Sequence, residues 1–151
     1  RITYWPQLFL GLTFNWGIVM AWTAVTNNIS TEIIMLYTAA IFWTLGYDTI
    51  YGVQDIIDDE IIGIKSTSIK FKKNIKFFVS ICYLASSVFI TYLFYDSLNF
   101  NNFTFLLIIF ILSLIYQIMI LNKNNPHKCL QAFKLNGFSG FFLFIGIFLI
   151  N

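Results

Sequence analysis

Residues 33–67, IIMLYTAAIFWTLGYDTIYGVQDIIDDEIIGIKST, decide how this chain is built. In residues 33–54 the only charge is Asp48. At about 1.5 Å of rise per residue, a helix of this length crosses the roughly 30 Å hydrocarbon core of a bilayer. The composition then turns abruptly acidic. Asp55, Asp58, Asp59 and Glu60 follow within residues 55–60, and after them come Gly63, Lys65, Ser66 and Thr67. A membrane span that runs into an acidic segment is the feature around which the rest is read.

On either side of this stretch, residues 2–31 carry no charge, with an apolar centre at 8–25, and residues 77–95, 97–122 and 135–151 carry none either. Five transmembrane helices are expected, over about 8–25, 33–54, 75–95, 104–121 and 135–150. The runs lack the alternation of a membrane barrel, so the fold class is all-α. Composition agrees: of 151 residues 58% are apolar, 20% aromatic and only 11% charged. Soluble domains average roughly 25% charged residues. A mean hydropathy of +0.76 makes lipid the natural solvent and disfavours a soluble enzyme, a disulfide scaffold or a disordered tail. A net charge of +2 is too small to imply a nucleic-acid partner. Cys82 reads as a small buried hydrophobe and Cys129 as a free thiol in a polar connection, with no metal-ligand spacing. The chain opens on Arg1, shows no signal peptide, and reads as part of a longer one.

Charge placement gives an orientation. Arg1 precedes span one. Lys65, Lys70, Lys72, Lys73 and Lys76 lie between spans two and three, and Lys123, Lys128 and Lys134 between spans four and five. Strict alternation puts all nine basic residues on one side, and the opposite connections hold only Glu32 and Asp96. Because basic loops stay inside, that side is expected to be cytoplasmic, in a bacterial inner membrane.

The chemistry is expected where the acids are. Asp48, Tyr51, Asp55 and Asp59 are spaced 3, 4 and 4, which on a continuous helix forms one stripe. A carboxylate at mid-bilayer depth costs about 2.5–3.5 kcal/mol on insertion scales, which marks Asp48 as a functional candidate. Like charges at i,i+4 repel, so Asp55 and Asp59 are better explained with a cation between them. Oxygen ligands of this kind suit Mg2+, which takes one or two carboxylates, water and substrate phosphate. The glycine, lysine and hydroxyls at 63–67 would suit a metal-bridged diphosphate whose apolar tail lies in the bilayer. On the residues alone, an isoprenyl-diphosphate enzyme and an acid-lined transporter or ion path stay open.

The string from Tyr47 to Thr67 closely resembles the second aspartate-rich motif of the UbiA-type membrane prenyltransferases. Its YDTIY, QDxxDD and GIKST elements look like the 4-hydroxybenzoate polyprenyltransferase branch. The opening RITYWPQ of residues 1–7 is similar to the segment joining the fourth and fifth spans there, and Phe133, Asn136 and Gly140 fit more loosely. The resemblance implies an all-helical nine-span enzyme of which this chain supplies spans five to nine. It further implies Mg2+ held by two aspartate-rich motifs, and transfer of a polyprenyl group from polyprenyl diphosphate to the ring of 4-hydroxybenzoate in ubiquinone synthesis. By position, Asp55 and Asp59 become metal ligands with Asp58 a weaker one, and Lys65 and Arg1 contact the diphosphate. Asp48 and Tyr51 become the catalytic pair, facing the central cavity near the acceptor.

Three departures accompany the resemblance. The first motif, of the NDxxDxxxD type, is absent: outside 47–60 the one further Asp is Asp96. Ile56 stands where Lys is common, and Lys72 where Gly is common. A missing motif implies a separate or preceding N-terminal half. Alternatives are another aromatic acceptor, half of an acid-lined transporter, or a nonfunctional remnant. Asn15 and Thr13 are expected to hydrogen-bond between helices, His127 to be solvated, and Ser66 and Thr67 to cap a short surface helix running into 70–76.

Overall fold

A computed structural model describes residues 2–150; Arg1 and Asn151 lie outside the described residues. These residues form nine α-helices and one 3-10 turn, with no strand among them. The helices are α1 (Pro6–Phe14), α2 (Trp16–Thr26), α3 (Thr31–Tyr51), α4 (Ile56–Ile62), α5 (Thr67–Lys70), α6 (Ile75–Leu93), α7 (Asn102–Ile120), α8 (Pro126–Lys134) and α9 (Asn136–Phe148). Five helical paths are long and apolar enough to cross a membrane: Pro6–Thr26, Thr31–Tyr51, Ile75–Leu93, Asn102–Ile120 and Pro126–Phe148. The five expected spans are therefore present, and Asn101 and Asn125, in the connections between them, cap α7 and α8.

Three details differ from the sequence reading. Span one is broken at Asn15, whose amide Nδ2 donates to the Gly11 carbonyl (2.8 Å), the Ala40 carbonyl (3.3 Å) and Thr44 Oγ1 (2.8 Å). Broken backbone inside a membrane is tolerated where protein groups take the freed hydrogen bonds, and here Asn15 does so while tying α1 to α3. Thr13 instead bonds the Phe9 and Leu10 carbonyls of its own helix. The last span starts earlier than 135. The polar connection folds as α8, led by Asn125 and Pro126, and continues through Leu135 into α9. Cys129 is consequently no loop thiol: it is buried in α8 and donates to the Asn122 carbonyl. His127 is exposed, as expected.

Helix α3 is the centre of the bundle. Ala39, Thr44, Leu45, Thr49 and Ile50 are buried on it, and α6 packs along it at Gly46, where a Cβ would stand 2.5 Å from the Tyr83 ring. Small residues let membrane helices approach in this way. A buried polar chain joins the later spans: Tyr83 Oη donates to Gln117 Oε1 (2.6 Å), Gln117 Nε2 donates to Ser139 Oγ (3.0 Å), and Ser113 and Ser139 share a hydrogen bond (2.7 Å). The end of α3, the start of α6, the end of α7 and the start of α8 meet at one end of the bundle. A cleft of about 260 Å3 there is lined by Val53, Gln54, Lys72, Lys73, Lys123 and Pro126.

Candidate functional site

The acidic segment is an excursion from the end of α3, pinned where it leaves and where it returns. At departure, Ser68 Oγ donates to the Thr49 carbonyl (2.8 Å), and the Val53 N–H turns to the Ile50 carbonyl (3.2 Å). A helix would have paired Val53 with Thr49, so the Ser68 hydroxyl ends α3 by taking that acceptor. Gly52 permits the approach, since a Cβ there would sit 2.5 Å from Ser68 Oγ. At return, Thr67 Oγ1 and Thr49 Oγ1 share a hydrogen bond (2.7 Å), and the Thr67 N–H donates to Gln7 Oε1 (3.0 Å). Ser66, Thr67, Ser68, Gln7 and Thr49 are all buried.

This arrangement corrects two sequence expectations. Ser66 does cap α5, accepting from the Ile69 N–H (3.3 Å), but Thr67 ties the return to α3, and α5 stops at Lys70. Both hydroxyls are committed internally rather than offered to a phosphate. The single stripe is also interrupted. Asp48 and Tyr51 belong to α3, which ends at Tyr51, and a turn precedes Asp55, which stands at the N-cap position of α4. The i,i+4 relation of Asp55 and Asp59 survives, with the Asp59 N–H donating to the Asp55 carbonyl (2.8 Å). Gly63, at φ 74°, closes α4: the Gly63 N–H donates to the Glu60 carbonyl and the Ile64 N–H to the Asp59 carbonyl, in a Schellman pattern.

Asp55 and Asp58 are exposed and Asp59 is half-buried. Glu60 forms an ion pair with Lys72, two exposed groups that together lace α4 to the segment before α6. Among the described residues no three His, Cys, Asp or Glu side chains are gathered to enclose a metal. Two acidic oxygen donors one helical turn apart fit half of a Mg2+ site rather than a whole one. Lys65 donates to the Ile2 carbonyl (3.3 Å) and lies 5.6 Å from the Tyr4 ring centre, so the start of the chain returns beside it. Arg1, the other expected diphosphate contact, lies outside the described residues.

Beside this excursion a cleft of about 390 Å3 opens along α3, lined by Asn15, Trp43, Thr44, Tyr47, Phe133 and Asn136 among others. Tyr51 follows Tyr47 by one turn, and its ring lies 4.7 Å from that of Phe133. Asp48, half-buried, follows Thr44 by one turn. Trp43 Nε1 donates to Asn136 Oδ1 (2.9 Å), holding α3 against α9 across the cleft. Trp43 and Lys134, neither of them a site residue by sequence alone, also line this cleft. The 43, 47, 51 aromatic series is a usable signal for Trp43, whereas Lys134 becomes a wall residue only because the polar stretch folds as α8.

Residues 1–146 match the family described as UbiA prenyltransferase family. The mitochondrial 4-hydroxybenzoate polyprenyltransferase of Bos taurus is 40% identical over 152 residues, covering 100% of this chain and 41% of that protein. The mitochondrial 4-hydroxybenzoate polyprenyltransferase of Aedes aegypti is 38% identical over 159 residues, covering 99% of this chain and 34% of that protein. The 4-hydroxybenzoate octaprenyltransferase of Psychromonas ingrahamii is 38% identical over 150 residues, covering 99% of this chain and 52% of that protein. No solved structure matches. The chain thus spans about half or less of the length of these relatives. Five membrane-length helices, the pinned acidic excursion and a match across nearly all residues agree: the chain belongs to the UbiA prenyltransferase family.

Proposed function

We propose that the protein carrying this chain transfers a polyprenyl group from polyprenyl diphosphate to 4-hydroxybenzoate, in ubiquinone synthesis, and that this chain supplies one half of the site. The observation that carries the reading is 38–40% identity along the whole chain to proteins bearing that activity in their names. In the reaction the allylic C–O bond breaks, diphosphate leaves, a C–C bond forms beside the phenolic hydroxyl, and the ring proton is lost. Mg2+, when bound, would neutralise charge on the departing diphosphate. Asp55 and Asp59, with Asp58 beside them, are the residues of this chain that would hold it. The second set of carboxylates comes from an N-terminal half bearing the first aspartate-rich motif. Lys65, with Arg1, would meet the diphosphate oxygens. Asp48 and Tyr51 would face the acceptor at the mouth of the cleft, where the aromatic wall of Trp43, Tyr47 and Phe133 excludes water from a reactive allylic cation.

The setting we infer is a bacterial inner membrane or its mitochondrial counterpart, with the lysine-bearing end toward the cytoplasm or matrix. The direct test is conversion of labelled 4-hydroxybenzoate and a polyprenyl diphosphate by membranes containing the protein, with and without a chelator. Prenylated product that disappears with the chelator and returns with Mg2+ is expected. Turnover indifferent to chelation removes the metal assignment. Absence of product in membranes that hold the protein with its N-terminal half removes the activity.

A further inference from the structure

The start of α6 and the end of α7 border a groove of about 790 Å3 at the lysine-bearing end of the bundle. Lys73, Lys76, Lys123 and Lys128 line it, and no acidic side chain does. Among the described residues none of the four makes an ion pair; the one protein group that Lys76 reaches is the Met119 carbonyl, at 3.5 Å. All four are exposed, and together they give the groove a positive potential that attracts anions. Four like charges share one groove, and two of them flank the positive end of the 19-residue helix α6. That end also lacks a side-chain cap, since Asn74 at the N-cap makes no such hydrogen bond. Below the lysines the lining turns apolar, with Phe77 and Met119 exposed on the faces of two spans. Cations at the rim and a greasy wall along membrane helices complement an anionic amphiphile lying in the bilayer.

We propose that this groove seats the headgroup of an anionic phospholipid of the surrounding membrane, its acyl chains lying against Phe77 and Met119. Basic pockets between spans at one membrane face recognise such headgroups. Polyprenyl diphosphate is a poorer occupant. The groove contains none of Asp48, Tyr51, Asp55, Asp58, Asp59 and Lys65, and it has no carboxylate to hold the metal that a bridged diphosphate requires.

The test uses the protein extracted from its membrane into nanodiscs of mixed phosphatidylglycerol and phosphatidylcholine, with retained lipid counted by mass spectrometry. Wild type and a fourfold Lys→Arg variant should retain phosphatidylglycerol in preference to phosphatidylcholine. The double variant K73Q/K123Q should lose roughly tenfold in that preference, and the fourfold Lys→Gln variant should show none. K70Q, whose lysine lies over Trp5 at 4.1 Å and outside the groove, should behave as wild type. If the fourfold Lys→Gln variant fails to assemble, the double variant decides. Equal retention of both lipids by wild type overturns the proposal, as does a preference unchanged in the Lys→Gln variants. Displacement of the lipid by polyprenyl diphosphate would reassign the groove to the substrate and equally overturn it.

Discussion

Asn15 shows how one polar side chain shapes a membrane span. Its amide reaches two carbonyls and one hydroxyl, two of the three on α3. Asn15→Ala leaves Thr44 Oγ1 and the Ala40 carbonyl without that donor at the cleft wall. Interhelical hydrogen bonds of this kind contribute about 1 kcal/mol in membranes. The variant should therefore lower the midpoint of thermal unfolding in detergent modestly and leave insertion intact. Gly46 is the opposite case, a residue whose value is the space it leaves. With Tyr83 buried and bonded to Gln117, Gly46→Ala forces the ring away at a cost of about 1–3 kcal/mol. A lower unfolding midpoint for Gly46→Ala than for Asn15→Ala would confirm that the α3–α6 seam matters more than the α1–α3 bridge. The sequence marked Asn15 as a polar residue in an apolar run. It could not mark Gly46, because its role depends on which helix lies opposite.

Among the elements, the excursion from Gly52 to Ser66 is the one that carries the candidate chemistry, and its anchorage lies outside the acids. Thr49, Thr67, Ser68 and Gln7 hold it by buried hydrogen bonds. Thr67→Val should loosen the return of the chain without touching a carboxylate. The expected outcome is weaker use of polyprenyl diphosphate, a several-fold higher KM, with the acceptor KM unchanged; Thr49→Val should give the same change, and the double variant no further loss. The spans and the acidic segment were legible because both are written in local composition: charge-free windows of bilayer length, and acids gathered within residues 48–60. The end of α3 was not. Period alone continues the helix through Asp55, whereas a hydroxyl nineteen residues away, on Ser68, takes the Thr49 carbonyl and stops it. The polar helix α8 is hidden for a related reason, since a stretch carrying Lys128, Gln131 and Lys134 reads as a loop until its cap and its buried Cys129 are seen.

On the scale of the whole molecule, the lysine-rich connections assemble at one end of the bundle, and Asp96 lies in the connection between α6 and α7 at the other. In a cysteine-free background, single cysteines at exposed Lys72 and His127 should react with a membrane-impermeant maleimide from one face, and cysteines at Asn28 and Asn101 from the opposite face. Cys129 is unsuitable as the probe because it is buried. Labelling of all four positions from the same face would contradict the five-span path. In the proposed function this chain brings the carboxylates of one metal-binding motif to a prenyl-transfer site. The measurement is turnover of 4-hydroxybenzoate with polyprenyl diphosphate across a Mg2+ titration, with the proposed N-terminal half present. Asp55→Asn, Asp59→Asn and Asp96→Asn are compared with wild type. A neutral amide cannot help hold a cation against diphosphate charge, so the first two variants should lose orders of magnitude in turnover and need more Mg2+, while Asp96→Asn matches wild type. Wild-type turnover and Mg2+ dependence in Asp55→Asn and Asp59→Asn would rule out a metal role for these carboxylates.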